Sequence, residues 1–365
     1  MIPSSDSTAV RAGEELDHAG LDGYLRAHLP EFDPTAAIAI EQFPGGHSNL
    51  TYLVRYADQE FVLRRPPVGP VARTAHDMPR EFRLLSVVNP RFPLAPKPVL
   101  LCEDASIIGV PFYLMERRRG FIVRQKVPVQ IGENLDLRQR LSETVVDTLV
   151  ALHAVEIQRS GIVKVGKPEG FVTRQVHGWA ERWQRSKTGE LPEMDQVIVW
   201  LIDRIPAEAV NEATIVHNDF KLDNLMIDED DPARVVAVLD WEMSTVGDPL
   251  VDVGLLLTYW TMRGVKDSGD DSSKDANSSL RAVTNGPGWL TRAQLIERYE
   301  KMTGRDLSRI TFYETFARFK VAVVIQQIYF RFVQGQTRDE RFRNLHGPVK
   351  ELAREALALA QASGI

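Results

Sequence analysis

Three side chains in one short region have the types and spacing that phosphoryl transfer requires. Asp219 and Asn224 stand five positions apart in the segment Ile215-Val216-His217-Asn218-Asp219-Phe220-Lys221-Leu222-Asp223-Asn224. A second Asp, Asp240, closes the apolar run Val235-Val236-Ala237-Val238-Leu239 and is followed by Trp241-Glu242. Moving a phosphoryl group from a nucleotide to a hydroxyl needs a carboxylate that orients the acceptor and takes its proton. It also needs oxygen ligands that hold magnesium on the phosphates. Asp219 is the candidate for the first task. Asn224 and Asp240 are candidates for the second, being hard oxygen ligands suited to magnesium rather than zinc. A β-hairpin with polar turn residues is the competing reading, but such a turn does not require the downstream Asp.

These residues must be positioned by strands and helices, and the chain offers both. Leu21 to Leu29 reads as a short helix ended by Pro30. Ala37–Phe43, Leu50–Tyr56 and Glu60–Arg64 read as strands, the second by its alternation, with Arg65-Pro66-Pro67 ending the third. Between the first two strands, Pro44-Gly45-Gly46-His47-Ser48-Asn49 is a turn whose glycines allow close backbone approach. Its free N–H groups, with Ser48 and Asn49, can bind oxyanions. The same residues fail as a hydrolase nucleophile elbow, because G-x-S-x-G is broken at its last position. Arg80–Leu85 is helical. Val99–Cys102 and Pro111–Met115 are strands after the linker Pro93–Pro98. From about residue 135 the apolar spacing becomes helical. Helices are expected over Leu141–His153, 172–186, Gln196–Ile205, Phe312–Val333 and Gly347–Ala362. Asp248-Pro249 is a helix start, and Thr291 with Gln294 is a capping box. His153 and the pair Trp179 and Trp183 read as packing residues. Residues 265–288 are polar and of low complexity, and should be mobile.

The pattern H-x-D-x-x-x-x-N at His217, Asp219 and Asn224, followed by Asp240-Trp241, resembles the kinase-like phosphotransferases. These are the aminoglycoside phosphotransferase superfamily, with choline and homoserine kinases as relatives. The family usually has Gly where this chain has Asn218, and Asn tolerates unusual backbone angles better than most residues. The resemblance implies an α+β, two-lobed, protein-kinase-like fold. A small antiparallel β lobe that binds nucleotide would span residues 1–114. A large, mainly helical lobe with the catalytic loop, metal site and substrate-binding helices would span 115–365. ATP would lie between the lobes with magnesium on Asn224 and Asp240, and His217 would brace the loop. The turn at Ser48 and Asn49 resembles the family's nucleotide-positioning loop. Arg64 stands where kinases carry the phosphate-binding Lys, with Glu81 as its partner. Pleat alternation leaves Arg65 as the alternative. The hinge would offer adenine the carbonyl of Glu116 and the amide of Arg118. Lys221 is either a γ-phosphate contact or a solvated side chain. Asp248 and Asp252 resemble family residues that brace the site.

From about residue 36 onward the chain is most similar to the phosphotransferase branch fused to acyl-CoA dehydrogenases. The pieces that carry this are Phe43-Pro44-Gly45-Gly46-His47-Ser48-Asn49, Phe61-Val62-Leu63-Arg64-Arg65-Pro66 and the aromatic helix with Phe319-Lys320. That likeness implies a hydroxylated acid or hydroxyacyl-CoA as acceptor, and a functional link to an acyl-CoA dehydrogenase. The basic residues Arg117, Arg118, Arg119, Arg124 and Lys126 could meet coenzyme A phosphates, or form a solvated arginine run. An aminoglycoside or sugar kinase, and a nucleotide-binding pseudokinase module, are the rival readings.

Composition narrows the setting. The chain has 365 residues, a formal net charge of −6 and a single cysteine, Cys102. The charge argues against general nucleic-acid binding. One cysteine permits neither an intrachain disulfide nor a cysteine metal cluster. Met1 to Glu15 lacks an apolar signal core. No apolar run reaches the roughly eighteen residues of a membrane span. The expected protein is therefore a cytoplasmic enzyme whose partners are ATP and a small hydroxyl acceptor, with no membrane partner.

Overall fold

The computed structural model describes residues 6–29, 35–44, 49–67, 76–157, 166–207, 212–262, 282–337 and 339–364. The chain divides into two units. The first is Met1–Arg119 with Ala237–Glu242. The second is Gly120–Val236 with Met243–Ile365.

The first unit is built on a five-stranded sheet. Its strands are β1 (Ile38–Gln42), β2 (Leu50–Tyr56), β3 (Gln59–Arg65), β4 (Pro98–Cys102) and β5 (Phe112–Glu116), in the order β1-β2-β3-β5-β4. Every neighbouring pair runs antiparallel. The alternation expected of β2 is present: Leu50, Tyr52, Val54 and Tyr56 share one face. With Leu63, Phe112 and Leu114 they form a core closed by Leu21 and Leu25 of helix α1 (His18–His28). The pleat decides between the two arginines. Arg65 pairs with Leu50 of the core face, and Arg64 pairs with Thr51 on the opposite face. Helix α2 (Met78–Val88) starts on an Asp77 cap that accepts the Arg80 N–H, with proline in its first positions. Glu81 lies in its first turn.

The second unit is mainly helical. Its helices are α3 (Leu135–His153), α4 (Phe171–Ser186), α5 (Pro192–Asp203), α6 (Leu250–Thr261), α7 (Arg292–Thr303), α8 (Ile310–Val333) and α9 (His346–Ala362). Helix α8 is its spine and buries Phe312, Phe316 and Phe319 completely. Helix α6 comes close to it because Gly254 has no side chain. A Cβ there would sit 2.5 Å from the Tyr313 carbonyl oxygen. Trp179 and Trp183 of α4 are buried, as the packing reading expected. Short strands follow: β6 (Phe121–Ile122), β7 (Thr214–Val216), β8 (Leu225–Ile227), β9 (Val235–Val238), whose Ala237 and Val238 belong to the first unit, and β10 (Thr245–Gly247). They form one sheet in the order β6-β8-β9 and a β7-β10 pair.

Of the stretch expected to be mobile, residues 265–281 lie outside the described residues. Residues 282–288 depart from that expectation. Val283–Asn285 forms a turn of 3-10 helix. The Thr284 hydroxyl donates to the Trp260 carbonyl at 2.5 Å, and the Asn285 amide donates to Met262 O at 2.7 Å. These bonds satisfy carbonyls at the C-terminal end of α6. Among the described residues no helix is long and apolar enough to cross a membrane.

Candidate active site

Strand β7 delivers the chain to His217, and the loop after it is tied down by one buried carboxylate. Asp252, in the first turn of α6 and fully buried, accepts the His217 N–H at 2.6 Å and the Asn218 N–H at 2.7 Å. Burial would raise its pKa, but the bonds and charge from His153 and His217 outweigh that and hold it below the ordinary aspartate value. His153 closes the arrangement. Its Nδ1 lies 2.7 Å from the Tyr299 hydroxyl and its Nε2 lies 3.3 Å from Asp252. It is the satisfied packing histidine that was expected. Asp248, expected to cap α6, lies one residue before its N-cap Pro249; it accepts the Leu250 N–H at 2.9 Å and receives the Tyr313 hydroxyl at 2.6 Å.

Asn218 has φ +62°, the left-handed region in which Asn substitutes for Gly with little strain. Its amide donates to the Met243 carbonyl at 3.1 Å. Asp219 follows, half-buried. Its Oδ2 receives Lys221 Nζ at 3.0 Å and the Asn224 amide nitrogen at 2.9 Å. Asn224 lies in the 3-10 turn Leu222–Asn224. Lys221 is therefore not a solvated lysine. Its Nζ also stands 4.9 Å from the Tyr259 ring centroid. Burial opposes its charge, but Tyr259, Asp219 and Asp223 together hold its pKa well above the usual lysine value.

In the first unit the predicted residues converge on Arg64, which is 8% exposed. Its guanidinium lies 3.5 Å from Glu81, 3.0 Å from Asp240 and 3.9 Å from Glu242. Burial works against the Arg64 charge, and the surrounding carboxylates more than restore it. Glu81 is pushed above the ordinary glutamate value by its own burial, in part offset by Arg64. Asp240 has φ +68°, a strained conformation that aims its side chain at Arg64. Asn49 is buried. Its amide donates to Glu242 at 2.7 Å and its oxygen lies 2.7 Å from His76 Nδ1. Ser48 and the glycines of its turn lie outside the described residues. Glu116 ends β5, and its side chain pairs with Arg118 at 2.7 Å. What either residue would offer a nucleobase is therefore main chain.

The basic run after β5 is engaged at home. Arg117 meets Asp6 at 2.8 Å, Arg119 meets Glu60 at 2.8 Å, and Arg118 holds Glu116 and the Pro93 carbonyl. Arg124 and Lys126 are exposed.

Sequence reasoning missed Glu242, Arg80 and His76 around Asp240, and Lys320 behind the loop. Arg80 donates to the Glu242 carbonyl at 3.1 Å. Lys320 could have been found as the one charged residue of the otherwise apolar stretch Phe319–Ile325.

The candidate magnesium ligands fit a hard cation. The amide nitrogen of Asn224 is spent on Asp219, both on its carboxylate and on its carbonyl at 2.9 Å. That turns the side-chain oxygen into the atom available to a metal. Among the described residues no group of three or more His, Cys, Asp or Glu side chains is arranged as a protein-only metal cage. Such a cage is not what magnesium uses on a nucleotide, where phosphates and water complete the shell.

A unit built on a five-stranded antiparallel sheet and a mainly helical unit are the parts of a protein-kinase-like phosphotransferase fold. The profile of the phosphotransferase enzyme family matches residues 39–282. The chain belongs to that family, whose members phosphorylate hydroxyl groups. It is 34% identical to acyl-CoA dehydrogenase family member 11 of Rattus norvegicus, over 99% of this chain and 45% of that protein. It thus spans less than half of that relative. A solved chain from Ralstonia eutropha JMP134, named a candidate aminoglycoside phosphotransferase, is 30% identical. It superposes with a TM-score of 0.78, covering 95% of this chain and 99% of that one. A thermostable mutant of aminoglycoside phosphotransferase APH(4)-Ia, in ternary complex with AMP-PNP and hygromycin B, shares the fold. It is 16% identical with a TM-score of 0.54, covering 91% of this chain and 97% of its own.

Proposed function

We propose that this phosphotransferase moves the γ-phosphoryl group of ATP to the hydroxyl of a small hydroxy acid or hydroxyacyl thioester, with Asp219 as the acceptor-side carboxylate. The observation that carries the chemistry is the loop itself. Asp219 is fixed between Lys221 and Asn224, on a backbone that Asp252 fastens from behind. A carboxylate so held orients an acceptor hydroxyl and takes its proton as the bond to phosphorus forms. In a loose transition state that positioning supplies much of the rate.

Arg64 is the phosphate-binding cation of this reading, and Glu81 is its anchor. Guanidinium presents a fork that grips phosphate bidentately where an ammonium would act as a point charge. Asn49 is committed to Glu242 and His76, so it shapes the nearby loop more than it binds phosphate directly. Asn224 and Asp240 would hold magnesium, which when bound neutralises charge on the β- and γ-phosphates. Adenine would meet main-chain groups at Glu116 and Arg118.

The acyl reading of the acceptor rests on the relative named an acyl-CoA dehydrogenase family member, which also motivates a functional link to such a dehydrogenase. The home pairing of Arg117, Arg118 and Arg119 leaves Arg124 and Lys126 as the basic residues open to an anionic acceptor. An ATP-consumption screen across hydroxy acids, hydroxyacyl-CoA thioesters, sugars and aminoglycosides tests the proposal. Turnover with the acyl class supports it. Turnover confined to aminoglycosides or sugars replaces the acceptor, and no turnover with any of them supports the pseudokinase reading.

A further inference from the structure

Between Phe312 and Gln326 helix α8 is closed in on nearly every side, and a lysine sits in the middle of that stretch. Phe319, Lys320 and Val321 are all buried. A buried ammonium is costly unless it is paired, and an apolar side chain of similar size would fill the space without that cost. Among the described residues, the hydrogen bond from Lys320 Nζ goes to a neutral acceptor, the Asn218 carbonyl, at 2.6 Å. The Trp179 ring centroid lies 5.5 Å from the same nitrogen.

The Asn218 carbonyl belongs to the peptide that leads into Asp219. With φ at +62°, Asn218 presents its N–H to Asp252 and its carbonyl to Lys320. An anion and a cation therefore grip the two ends of one residue, and the orientation of the next residue follows. The charged groups acting on Lys320 come from the loop (Asp219 and Lys221), from α6 (Asp252) and from α4 (Arg182).

We propose that Lys320 is a positioning residue: its ammonium fixes the Asn218–Asp219 peptide, and so holds the Asp219 carboxylate where phosphoryl transfer needs it. This inference rests on the reading of Asp219 given above. Burial is the main influence on the lysine and brings its pKa down to about 8, with Asp219 and Asp252 pulling the other way. Its charge can then be removed within the range in which a kinase is assayed.

The test uses the whole chain with magnesium-ATP, water serving as acceptor where no other is known. It compares the parent, Lys320→Met, Lys320→Arg and Asp219→Asn between pH 6 and pH 10. Lys320→Met lowers kcat by about 10²-fold, the scale of a misplaced catalytic group, with ATP affinity changed less than about twofold, about 0.4 kcal/mol. The parent loses kcat as pH rises past 8, and Lys320→Arg, which keeps its charge, does not. Hydrogen exchange of the peptide spanning 217–219 reads the clamp without any turnover, and it quickens in Lys320→Met alone. Parental kcat and parental exchange in Lys320→Met overturn the proposal. So does a loss of ATP affinity as large as the loss of kcat, which marks a general defect. If Lys320→Met fails to fold, the alkaline limb and its removal in Lys320→Arg decide. Asp219→Asn separates the two claims. Parental turnover there overturns the function, whereas its loss beside a parental Lys320→Met overturns this inference only.

Discussion

Replacing Lys320 with methionine removes a buried charge, and the consequence for stability has a sign and a size. In the unfolded chain the lysine titrates near its ordinary value of 10.5, and in the native structure near 8. The native state holds the proton less tightly, so stability changes only between those values. Below pH 8 both states carry the charge, and the native state bears the full cost of burying it. Between pH 8 and 10.5 the unfolded chain still binds a proton that the native chain has released. Unfolding then takes up a proton, and stability rises with pH. The interval of 10.5 minus 8, at about 1.4 kcal/mol per unit, amounts to about 3 kcal/mol, most of it gained by pH 10. The methionine variant lacks this contribution at every pH. Urea unfolding of parent and variant, followed by tryptophan fluorescence at pH 7, 8, 9 and 10, isolates it as a difference, so other lysines and tyrosines cancel. The parent midpoint should climb relative to the variant by roughly 1 M if m is about 3 kcal/mol/M. Parallel midpoints across that range would refute the argument, because Lys320 would then be titrating as an ordinary exposed lysine.

Asp240→Ala removes both a proposed magnesium ligand and a partner of Arg64. Calorimetry should show magnesium-dependent ATP binding lost with the fold retained, and unchanged affinity with and without magnesium would sink the assignment. Arg118→Ala combined with Arg119→Ala should leave KM for an acyl-CoA acceptor within about twofold, since surface pairs of this kind contribute roughly 0–1 kcal/mol; a tenfold rise would return those arginines to the acceptor site. Gly254→Ala places a methyl against the Tyr313 carbonyl. Overpacking of this sort costs roughly 1–3 kcal/mol, to be read as a fall in the thermal midpoint, and an unchanged midpoint would mean that α6 and α8 can part without penalty.

Much of this fold could be read from residue pattern because its signals are local. The alternation of Leu50–Tyr56 gave β2 with its observed bounds, and Thr291 with Gln294 gave the cap of α7. The Asp219–Asn224 spacing is legible because a single tight turn must present both side chains. Asn218 could be matched to a left-handed position because few other residues accept one. What stayed hidden depends on residues far apart in the chain. Nothing near Asn49 in sequence announces Glu242, its hydrogen-bond partner 193 positions away. Nothing in the run Phe319-Lys320-Val321 says that the lysine reaches back 102 positions to a backbone carbonyl. The home partners of the arginines after β5 were hidden for the same reason. The number of arginines suggested an open anion site, while their carboxylate partners, Asp6 and Glu60 among them, lie on distant parts of the first unit.

The central claim is that Asp219 directs the γ-phosphoryl group of ATP onto an acceptor hydroxyl. Phosphorus NMR of magnesium-ATP incubated with a hydroxyacyl-CoA acceptor, using parent protein and Asp219→Asn at equal concentration, tests it most directly. The parent should yield ADP together with a new phosphomonoester resonance. Asp219→Asn should bind ATP as the parent does but form the monoester at least about 10²-fold more slowly, the usual scale for a positioned base. Equal rates of monoester formation in the two proteins would contradict the account, as would ADP and inorganic phosphate from the parent with no monoester on any hydroxyl offered.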